Sequence, residues 1–514
     1  MIQPIDPSDL NYDKLMEIVK KIPILQSAVS IINWDMETKM PPKGITLRSN
    51  QLALLSGIEH KMTTNPIIGN LLEKIENHPN FVTFDSIRKR NIYLIRKNYN
   101  EQTKLPENLV VETERQRAIT IGVWKKAKTL NKFSLFKPEL EKLVELKKRA
   151  AEFLMDVKGV HKPYDALIDI FEPGVTSAII SNVFNNLKRG LIPILNKCLS
   201  SSKQPDISIL RRKIPIEIQR RISILITKFF GYDVTSEKAG GRIDETEHPF
   251  TTGYYDDVRI TTHYYADNFS SSLFSILHEV GHALYEQNLP PKWIYQPIGE
   301  SCSLGFHEFQ SRLVENIIGR SNEFWTYFYP TLKEMTKDKF SHVKLNDFVH
   351  AINLVQPSKI RIEADEITYC LHIIIRFEIE QDLIAGRIEV EELPDIWNQK
   401  YATYLGVKIE NNSEGVMQDT HWASAIYGYF PTYALGNIYS GQIISTMEKE
   451  VPLWRTEISE GNFQNIKQWL INNVHKYGNL YNPQDLLKKI TGEGINIRPY
   501  LNYLDAKYSQ LYDY

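Results

Sequence analysis

The sequence predicts a mainly α-helical protein, a large helical body that carries one small β ribbon. Three observations support this fold class. Apolar residues recur at every third or fourth position, as in amphipathic helices, and this spacing is clearest in residues 140–153, 175–192, 216–230 and 367–383. Only between Gly240 and Tyr265 does the pattern change to short β-like runs. Finally, 514 residues with 42% apolar content are enough to bury a large core without disulfides.

The chain is expected to form a single domain spanning residues 1–514, because it has no fixed-period repeat, low-complexity segment or obvious linker. Its 61 Lys and Arg residues nearly balance 62 Asp and Glu residues, which argues against nucleic-acid and membrane partners. Three scattered cysteines, Cys198, Cys302 and Cys370, suit a reducing compartment. The amino-terminal segment lacks the features of a secretory signal, and no apolar stretch approaches the roughly 18 residues of a membrane span. These features predict a cytoplasmic location.

Residues 240–265 are expected to form the β ribbon, because Thr, Tyr, Val and Ile alternate there with turn residues. The best strand covers residues 257–264, where successive side chains point to opposite faces. The ribbon comes shortly before the strongest motif of the chain, so its edge is a candidate for binding an extended peptide by strand addition. The alternative is a hairpin that only covers the core.

The strongest chemical signal is His278-Glu279-Val280-Gly281-His282. Residues four apart share one face of a helix, so both imidazoles can reach one Zn²⁺ at about 2.0–2.1 Å. The intervening Glu279 can take a proton from water that the metal acidifies, which makes it the candidate general base. We expect Asn268 or Ser270 to cap this helix and Pro290-Pro291 to end it. A pair of ordinary surface histidines is the alternative.

A hydrolytic zinc site needs a third protein ligand and one open position for water. Glu286 shares the histidine face but lies two turns beyond His278, about 12 Å along the axis, so a second helix must supply the ligand. The next helical pattern covers about residues 301–318 and offers Glu308 and Glu315. Spacing does not choose between them, and Glu308 can instead form an i,i+4 ion pair with Arg312.

Eight segments of the chain resemble, in order, motifs of the carboxypeptidase Taq family of thermostable metallocarboxypeptidases. They are WDMETKMPPKG (34–44), HPF (248–250), DVRIT (257–261), HEVGHALYEQ (278–287), GFHEFQSRLVEN (305–316), IRIEADE (360–366), GVMQDTHW (415–422) and GYFPTYALG (428–436). The resemblance implies an almost entirely helical fold, one Zn²⁺ (sometimes Co²⁺) per chain in a deep groove, and a homodimer. It also makes Glu308 the third metal ligand. The family usually has serine where this chain has Phe309, and that neighbour is not a ligand.

The resemblance also suggests which residues hold the substrate. A carboxypeptidase must bind a free α-carboxylate, and the planar guanidinium of arginine can engage both of its oxygens. Arg361 is the favoured anchor and Arg259 the second candidate. A structural ion pair, for instance between Arg361 and Asp365, is the alternative. His248 is expected either to contact substrate or to cap the chain before the ribbon.

His421 and Tyr433 are the candidate hydrogen-bond donors to the oxyanion, since both lie in segments that resemble the family's active site. A donor of this kind can lower the barrier by roughly 3 kcal/mol. For His421, a satisfied core histidine beside Trp422 is the alternative. Gln418 and Asp419 are expected to orient His421 or to line the pocket.

These assignments predict a metal-dependent carboxypeptidase that hydrolyses the C-terminal bond of peptides and proteins with broad specificity. Glu279 acts first as a general base toward water and then as a general acid toward the leaving amine. The expected partners are peptides with a free C-terminal carboxylate. A zinc oligopeptidase or endopeptidase is the nearest alternative, because it shares the metal chemistry without the carboxylate anchor. An inactive helical peptide-binding scaffold is the other alternative.

Overall fold

Helices dominate the computed structural model, which describes residues 7–514. This part of the chain forms α1 (Pro7–Val19), α2 (Lys21–Thr38), α3 (Ile45–Thr63), α4 (Pro66–Glu76), α5 (Ser86–Lys104), α6 (Glu107–Leu130), α7 (Phe133–Lys158), α8 (Pro163–Ile168), α9 (Ser177–Ser200), α10 (Ile216–Phe230), α11 (Phe269–Gln287), α12 (Leu304–Arg312), α13 (Asn322–Thr336), α14 (Leu345–Ile352), α15 (Thr368–Ile384), α16 (Leu393–Leu405), α17 (Phe430–Glu450), α18 (Trp454–Ser459), α19 (Gln464–Asn473), α20 (Pro483–Thr491) and α21 (Arg498–Tyr512). The strands are β1 (Gly241–Glu245), β2 (Thr251–Tyr254) and β3 (Asp257–Thr262).

The mainly helical class is confirmed, and the four stretches with the clearest helical spacing lie in α7, α9, α10 and α15, apart from at most two residues at the start of a stretch. Within residues 7–514, no helix combines the length and apolar character that crossing a membrane requires. Residues 1–6 of the amino-terminal segment, in which no secretory signal was recognised, lie outside the described residues.

The predicted β ribbon is a three-stranded mixed sheet with the order β1-β3-β2. β3 runs parallel to β1 and antiparallel to β2. Arg242 and Arg259 are register partners on β1 and β3, and their guanidinium carbons lie 4.6 Å and 4.4 Å from the ring centroid of Trp34. Trp34, the first residue of the segment 34–44, therefore packs against this arginine pair.

Helix α11 carries the histidine motif and begins one residue after Asn268. The predicted cap residue is in position, but its side chain accepts no hydrogen bond from a backbone N–H of the first turn. Instead, the Ser270 hydroxyl donates to Asn268 Oδ1 at 2.9 Å. The prediction that one of these side chains caps the backbone of the first turn is therefore wrong. The helix ends at Gln287, three residues before the predicted proline pair. Its apolar stripe is buried, and consists of Leu273, Leu277, Val280 and Leu284.

The described chain divides into two compact units. The first contains residues up to 104, 214–302 and 463–481, and one of its cores joins apolar residues of α1, α4 and α5. The second contains residues 105–213, 303–462 and 482–514. In the second unit α15 and α17 are buried on nearly every face, and α12 packs along α17. The single-domain organisation and the deep groove stay predictions.

Candidate active site

The two histidines of α11 are oriented toward each other. His278 Nε2 and His282 Nε2 are 3.2 Å apart, and the two rings are inclined at 77°. Two imidazoles that bind one ion at about 2.0–2.1 Å with tetrahedral angles have nitrogens about 3.3 Å apart. The spacing of these nitrogens therefore fits a shared divalent ion.

Glu279 lies between the histidines in sequence and is buried, with 5% of its surface exposed. The hydroxyl of Thr251, on β2, lies 2.6 Å from Glu279 Oε2 and 3.1 Å from the backbone oxygen of Glu279. A buried carboxylate held by a hydroxyl is suited to exchange protons at a defined position.

Helix α12 positions Glu308 through a well-bonded first turn. The Ser303 hydroxyl caps the helix by accepting from the Phe306 N–H at 3.1 Å. The Glu172 carboxylate accepts from the Gly305 N–H at 3.0 Å and from the Tyr439 hydroxyl at 2.9 Å. Burial raises the pKa of Glu172 to about 7, although these donors oppose the rise.

Glu308 has both of the environments considered from the sequence. Arg312 Nε donates to Glu308 Oε1 at 2.6 Å, so the i,i+4 ion pair exists, but it is buried rather than on the surface. One ligand atom from each of His278, His282 and Glu308 lies within 4.8 Å of the other two. Glu315 instead pairs with Arg312 at 3.2 Å and with Arg320 at 3.5 Å. Two imidazole nitrogens and a carboxylate oxygen form a donor set that zinc hydrolases use.

A second group of polar residues surrounds Arg361, which is buried. Its Nε donates to Asp419 Oδ1 at 3.0 Å, and its Nη1 donates to the Tyr369 hydroxyl at 3.1 Å. The pairing with Asp365 that the sequence allowed does not form, because Asp365 accepts from the first turn of α15 through Thr368. Arg361 is therefore ion-paired, but with a different carboxylate.

Arg376 completes this group and was missed in the sequence. Its Nε donates to Asp419 Oδ2 at 2.7 Å, and its Nη2 donates to Gln418 Oε1 at 2.8 Å. Gln418 Oε1 also accepts the backbone N–H of Arg361 at 2.9 Å. Burial alone would raise the pKa of Asp419, but the charges of Arg361 and Arg376 outweigh it and hold that pKa well below its usual value. Two buried cations share one carboxylate, so the three residues carry one net positive charge.

His421 and Tyr433 lie together, with 3.2 Å between His421 Nε2 and the Tyr433 hydroxyl. Arg361 lies over the Tyr433 ring, 5.0 Å from its centroid. Burial lowers the pKa of His421 to about 3; Asp419 opposes this shift, and Arg361 contributes to it. Burial also raises the pKa of Tyr433 well above its usual value. Both side chains are therefore neutral hydrogen-bonding groups near pH 7.

The loop that carries His421 is held by Glu380, which the sequence analysis did not identify. The Glu380 carboxylate accepts from Trp422 Nε1 at 2.8 Å, from the Gly428 N–H at 2.9 Å and from the Tyr164 hydroxyl at 2.8 Å. Burial raises the pKa of Glu380 to about 7 against these three donors. Trp422 is thus hydrogen-bonded to Glu380, and its neighbour His421 is hydrogen-bonded to Tyr433.

The remaining two candidates lie near the sheet. Arg259 Nε and Nη2 donate to the two oxygens of Asp257 at 2.7 Å and 2.8 Å, so its charge is balanced by a neighbour on the same strand. His248 is exposed in the loop between β1 and β2. The sequence roles of Arg259 and His248 stay predictions.

The missed residues differ in the signal that they leave in the sequence. Arg376 interrupts the apolar run 373–377, and a charge in such a run indicates a buried ion pair. Tyr369, Glu380 and Thr251 give no such signal, because only tertiary packing brings them to their partners.

The His-Glu-x-x-His motif of α11 and the nearby carboxylate of Glu308 form a donor set typical of metal-dependent hydrolases. The chain matches the family model described as Carboxypeptidase Taq (M32) metallopeptidase over residues 14–508. It is 39% identical to carboxypeptidase 1 of Bacillus subtilis over 98% of this chain and 99% of that one. It is also 39% identical to thermostable carboxypeptidase 1 of Thermus thermophilus, again over 98% and 99% of the two chains. The crystal structure of the M32 carboxypeptidase from Deinococcus radiodurans is similar with a TM-score of 0.94 and 31% identity, covering 98% of this chain and 100% of that one.

The chain therefore belongs to the carboxypeptidase Taq (M32) family of metallopeptidases. The predictions of a metal-dependent carboxypeptidase and of an enzyme that hydrolyses peptide bonds are confirmed.

Proposed function

We propose that this metallocarboxypeptidase uses one divalent ion per chain, Zn²⁺ with Co²⁺ as a substitute, held by His278, His282 and Glu308. The proposal rests on the donor atoms of these residues, which lie within 4.8 Å of one another. When bound, the ion supplies Lewis acidity toward water and toward the scissile carbonyl. Arg312 orients the Glu308 carboxylate, because its Nε donates to Oε1 at 2.6 Å.

In this proposal Glu279 moves the protons. Its carboxylate takes a proton from the attacking water and then gives it to the nitrogen of the departing residue. Burial of Glu279, only 5% exposed, keeps bulk water from competing for that proton. The hydrogen bond from Thr251 gives the carboxylate a fixed partner within the sheet.

Arg361 is the proposed anchor for the substrate's terminal carboxylate. Its group with Arg376 and Asp419 contains two buried cations and one anion. A bound carboxylate would balance the remaining positive charge, since buried charges are stable only when paired. Arg259 is the second candidate and is less favoured, because both oxygens of Asp257 already neutralise it. Gln418 holds the backbone of Arg361 and thereby supports the anchor.

His421 and Tyr433 are the proposed donors to the oxyanion. Both are neutral near pH 7, so the donors of the pair are the Tyr433 hydroxyl and the single N–H of His421. Arg361 lies 5.0 Å from the Tyr433 ring centroid. A donor and a carboxylate anchor in adjacent positions suit a substrate in which the reacting carbonyl and the terminal carboxylate are one residue apart.

The anchor is tested by comparing a peptide with a free C-terminus and the same peptide as its C-terminal amide. Arg361→Lys is expected to raise the KM of the free acid about 10- to 100-fold, because a point charge replaces the bidentate fork. The matched variant Arg259→Lys is expected to change it less than about threefold. Wild-type cleavage of acid and amide at equal rates would contradict the anchor and favour an oligopeptidase.

The base is tested with Glu279→Gln, assayed for both hydrolysis and bound metal. We expect kcat to fall by about 10²- to 10⁴-fold, because glutamine cannot accept the proton, while the metal content stays at the wild-type level. An unchanged rate would remove Glu279 from the proposed role.

Broad side-chain specificity, peptide strand addition at the sheet edge, a substrate role for His248, homodimeric assembly and a cytoplasmic location are further parts of the proposal. Sedimentation analysis tests the assembly, since a homodimer has twice the 59.7 kDa mass of one chain. A peptide library with varied C-terminal residues tests the specificity.

A further inference from the structure

Thr251, the first residue of β2, contacts the carboxylate that is proposed to move protons. We propose that Thr251 is a positioning residue, which holds Glu279 so that proton transfer occurs from a fixed direction. This inference rests on the proposed role of Glu279 as the general base, and it assigns a function to a residue of the sheet.

The contact has the geometry of a strong hydrogen bond. Thr251 Oγ1 lies 2.6 Å from Glu279 Oε2, within the range of about 2.5–2.7 Å typical of a hydroxyl bonded to an ionised carboxylate. The backbone oxygen of Glu279 is farther from the hydroxyl, at 3.1 Å. Because a hydroxyl has only one proton to donate, the hydroxyl of Thr251 donates to Oε2, the closer of the two oxygens. The hydroxyl of Thr251 therefore fixes one oxygen of the Glu279 carboxylate, Oε2.

Thr251 is itself held rigidly. The preceding residue, Phe250, is bonded to Thr261 on β3 through its N–H at 2.8 Å and its carbonyl at 2.9 Å. Thr261 is fully buried, and Ile260 is the register partner of Thr251. Threonine is also stiff at χ1, because its Cβ is branched. The sheet therefore presents the hydroxyl to α11 from a fixed backbone.

Loss of this hydroxyl should affect the chemical step more than substrate binding. A carboxylate without its anchor can adopt other side-chain rotamers, and a misplacement of about 1 Å can cost on the order of 100-fold in rate. In the proposal Thr251 acts on Glu279 and does not hold the substrate, so KM should change little.

The experiment compares three variants of the full-length, metal-loaded enzyme. Thr251→Val keeps the shape and removes the hydroxyl, whereas Thr251→Ser keeps the hydroxyl. Thr252→Val is the matched control, because the next side chain along a strand points to the opposite face. For each variant, kcat, KM and bound metal are measured with a free-acid peptide.

We expect Thr251→Val to lower kcat about 10- to 100-fold, with KM within about twofold and the metal content unchanged. Thr251→Ser should stay within about threefold of the wild type, and Thr252→Val within about twofold. A kcat for Thr251→Val within twofold of the wild type, a loss that serine does not restore, or a loss that parallels release of metal would each overturn the inference. Glu279→Gln distinguishes failure of the positioning role from failure of the base role. If Glu279→Gln is inactive while Thr251→Val is fully active, Glu279 remains the proposed base and Thr251 does not position it.

Discussion

Asp419 is the carboxylate on which the group around Arg361 depends, so Asp419→Asn is expected to be strongly destabilising. The side chains of Asp419, Arg361 and Arg376 are 12%, 7% and 0% exposed, so water compensates little. Removing one partner of a buried ion pair costs about 3–5 kcal/mol. Asparagine can still accept one hydrogen bond and Gln418 still accepts from Arg376, so we expect about 3 kcal/mol.

Urea unfolding followed by tryptophan fluorescence measures this cost. The matched control is Asp257→Asn, which breaks the ion pair of Arg259 on β3. Asp257 is 50% exposed, so its pair is screened by solvent and we expect a cost below about 1 kcal/mol.

Because the pKa of Asp419 is depressed in the folded protein, its contribution to stability is present above its unfolded pKa of about 4 and is lost only as the pH falls further. The difference in unfolding free energy between Asp419→Asn and Asp257→Asn should therefore be constant from pH 5 to 8.

A second readout connects this stability to function. In Asp419→Asn the guanidinium of Arg361 loses the carboxylate that fixes its orientation. The KM of a free-acid peptide should therefore rise, while that of its amide does not. If Asp419→Asn and Asp257→Asn were equally stable, the two buried arginines would not need this carboxylate, and the electrostatic reasoning for Arg361 would be refuted.

Two further variants test the supports of the site. A Cβ on Gly436 of α17 would lie 2.6 Å from Glu308 Cγ, so Gly436→Ala is expected to displace Glu308 and weaken metal affinity about 10- to 100-fold in a chelator competition. Gly122→Ala is the control, because a Cβ added there would lie within 4 Å of no side chain or backbone beyond its own stretch of helix, and equal affinities would contradict the contact. Burial raises the pKa of Glu380 to about 7, so its contribution to stability is lost as the pH rises through that value. Between pH 5 and 8 the wild type should lose about 2–3 kcal/mol more unfolding free energy than Glu380→Gln in urea titrations, and equal losses would contradict the raised pKa.

Features that depend on local spacing were predictable from the sequence. The helical pattern at 216–230 coincides with α10, because the apolar residues of an amphipathic helix recur at every turn along the chain. The pair His278 and His282 was predicted for the same reason, since four-residue spacing brings both rings to one face. The ribbon at 240–265 was predicted as β structure, but its order β1-β3-β2 depends on contacts between strands that spacing does not specify.

Features that depend on packing between distant segments were harder to predict. Spacing could not choose between Glu308 and Glu315, and the choice of Glu308 came from the family resemblance. Asp419 as the partner of Arg361 was missed, because 58 residues separate the two positions in the chain. For the same reason no pattern linked Thr251 to the motif on α11, although it contacts the carboxylate of Glu279.

The most direct test of the metal assignment is the number of ions bound per chain, measured by elemental analysis of Glu308→Gln beside Glu315→Gln. Both variants remove one charge from the same segment, and Glu315 is bonded to Arg312 and Arg320. We predict about one ion per chain in the wild type and in Glu315→Gln, and a clear loss in Glu308→Gln. A Glu308→Gln protein that keeps a full ion per chain with wild-type affinity would contradict the three-ligand site.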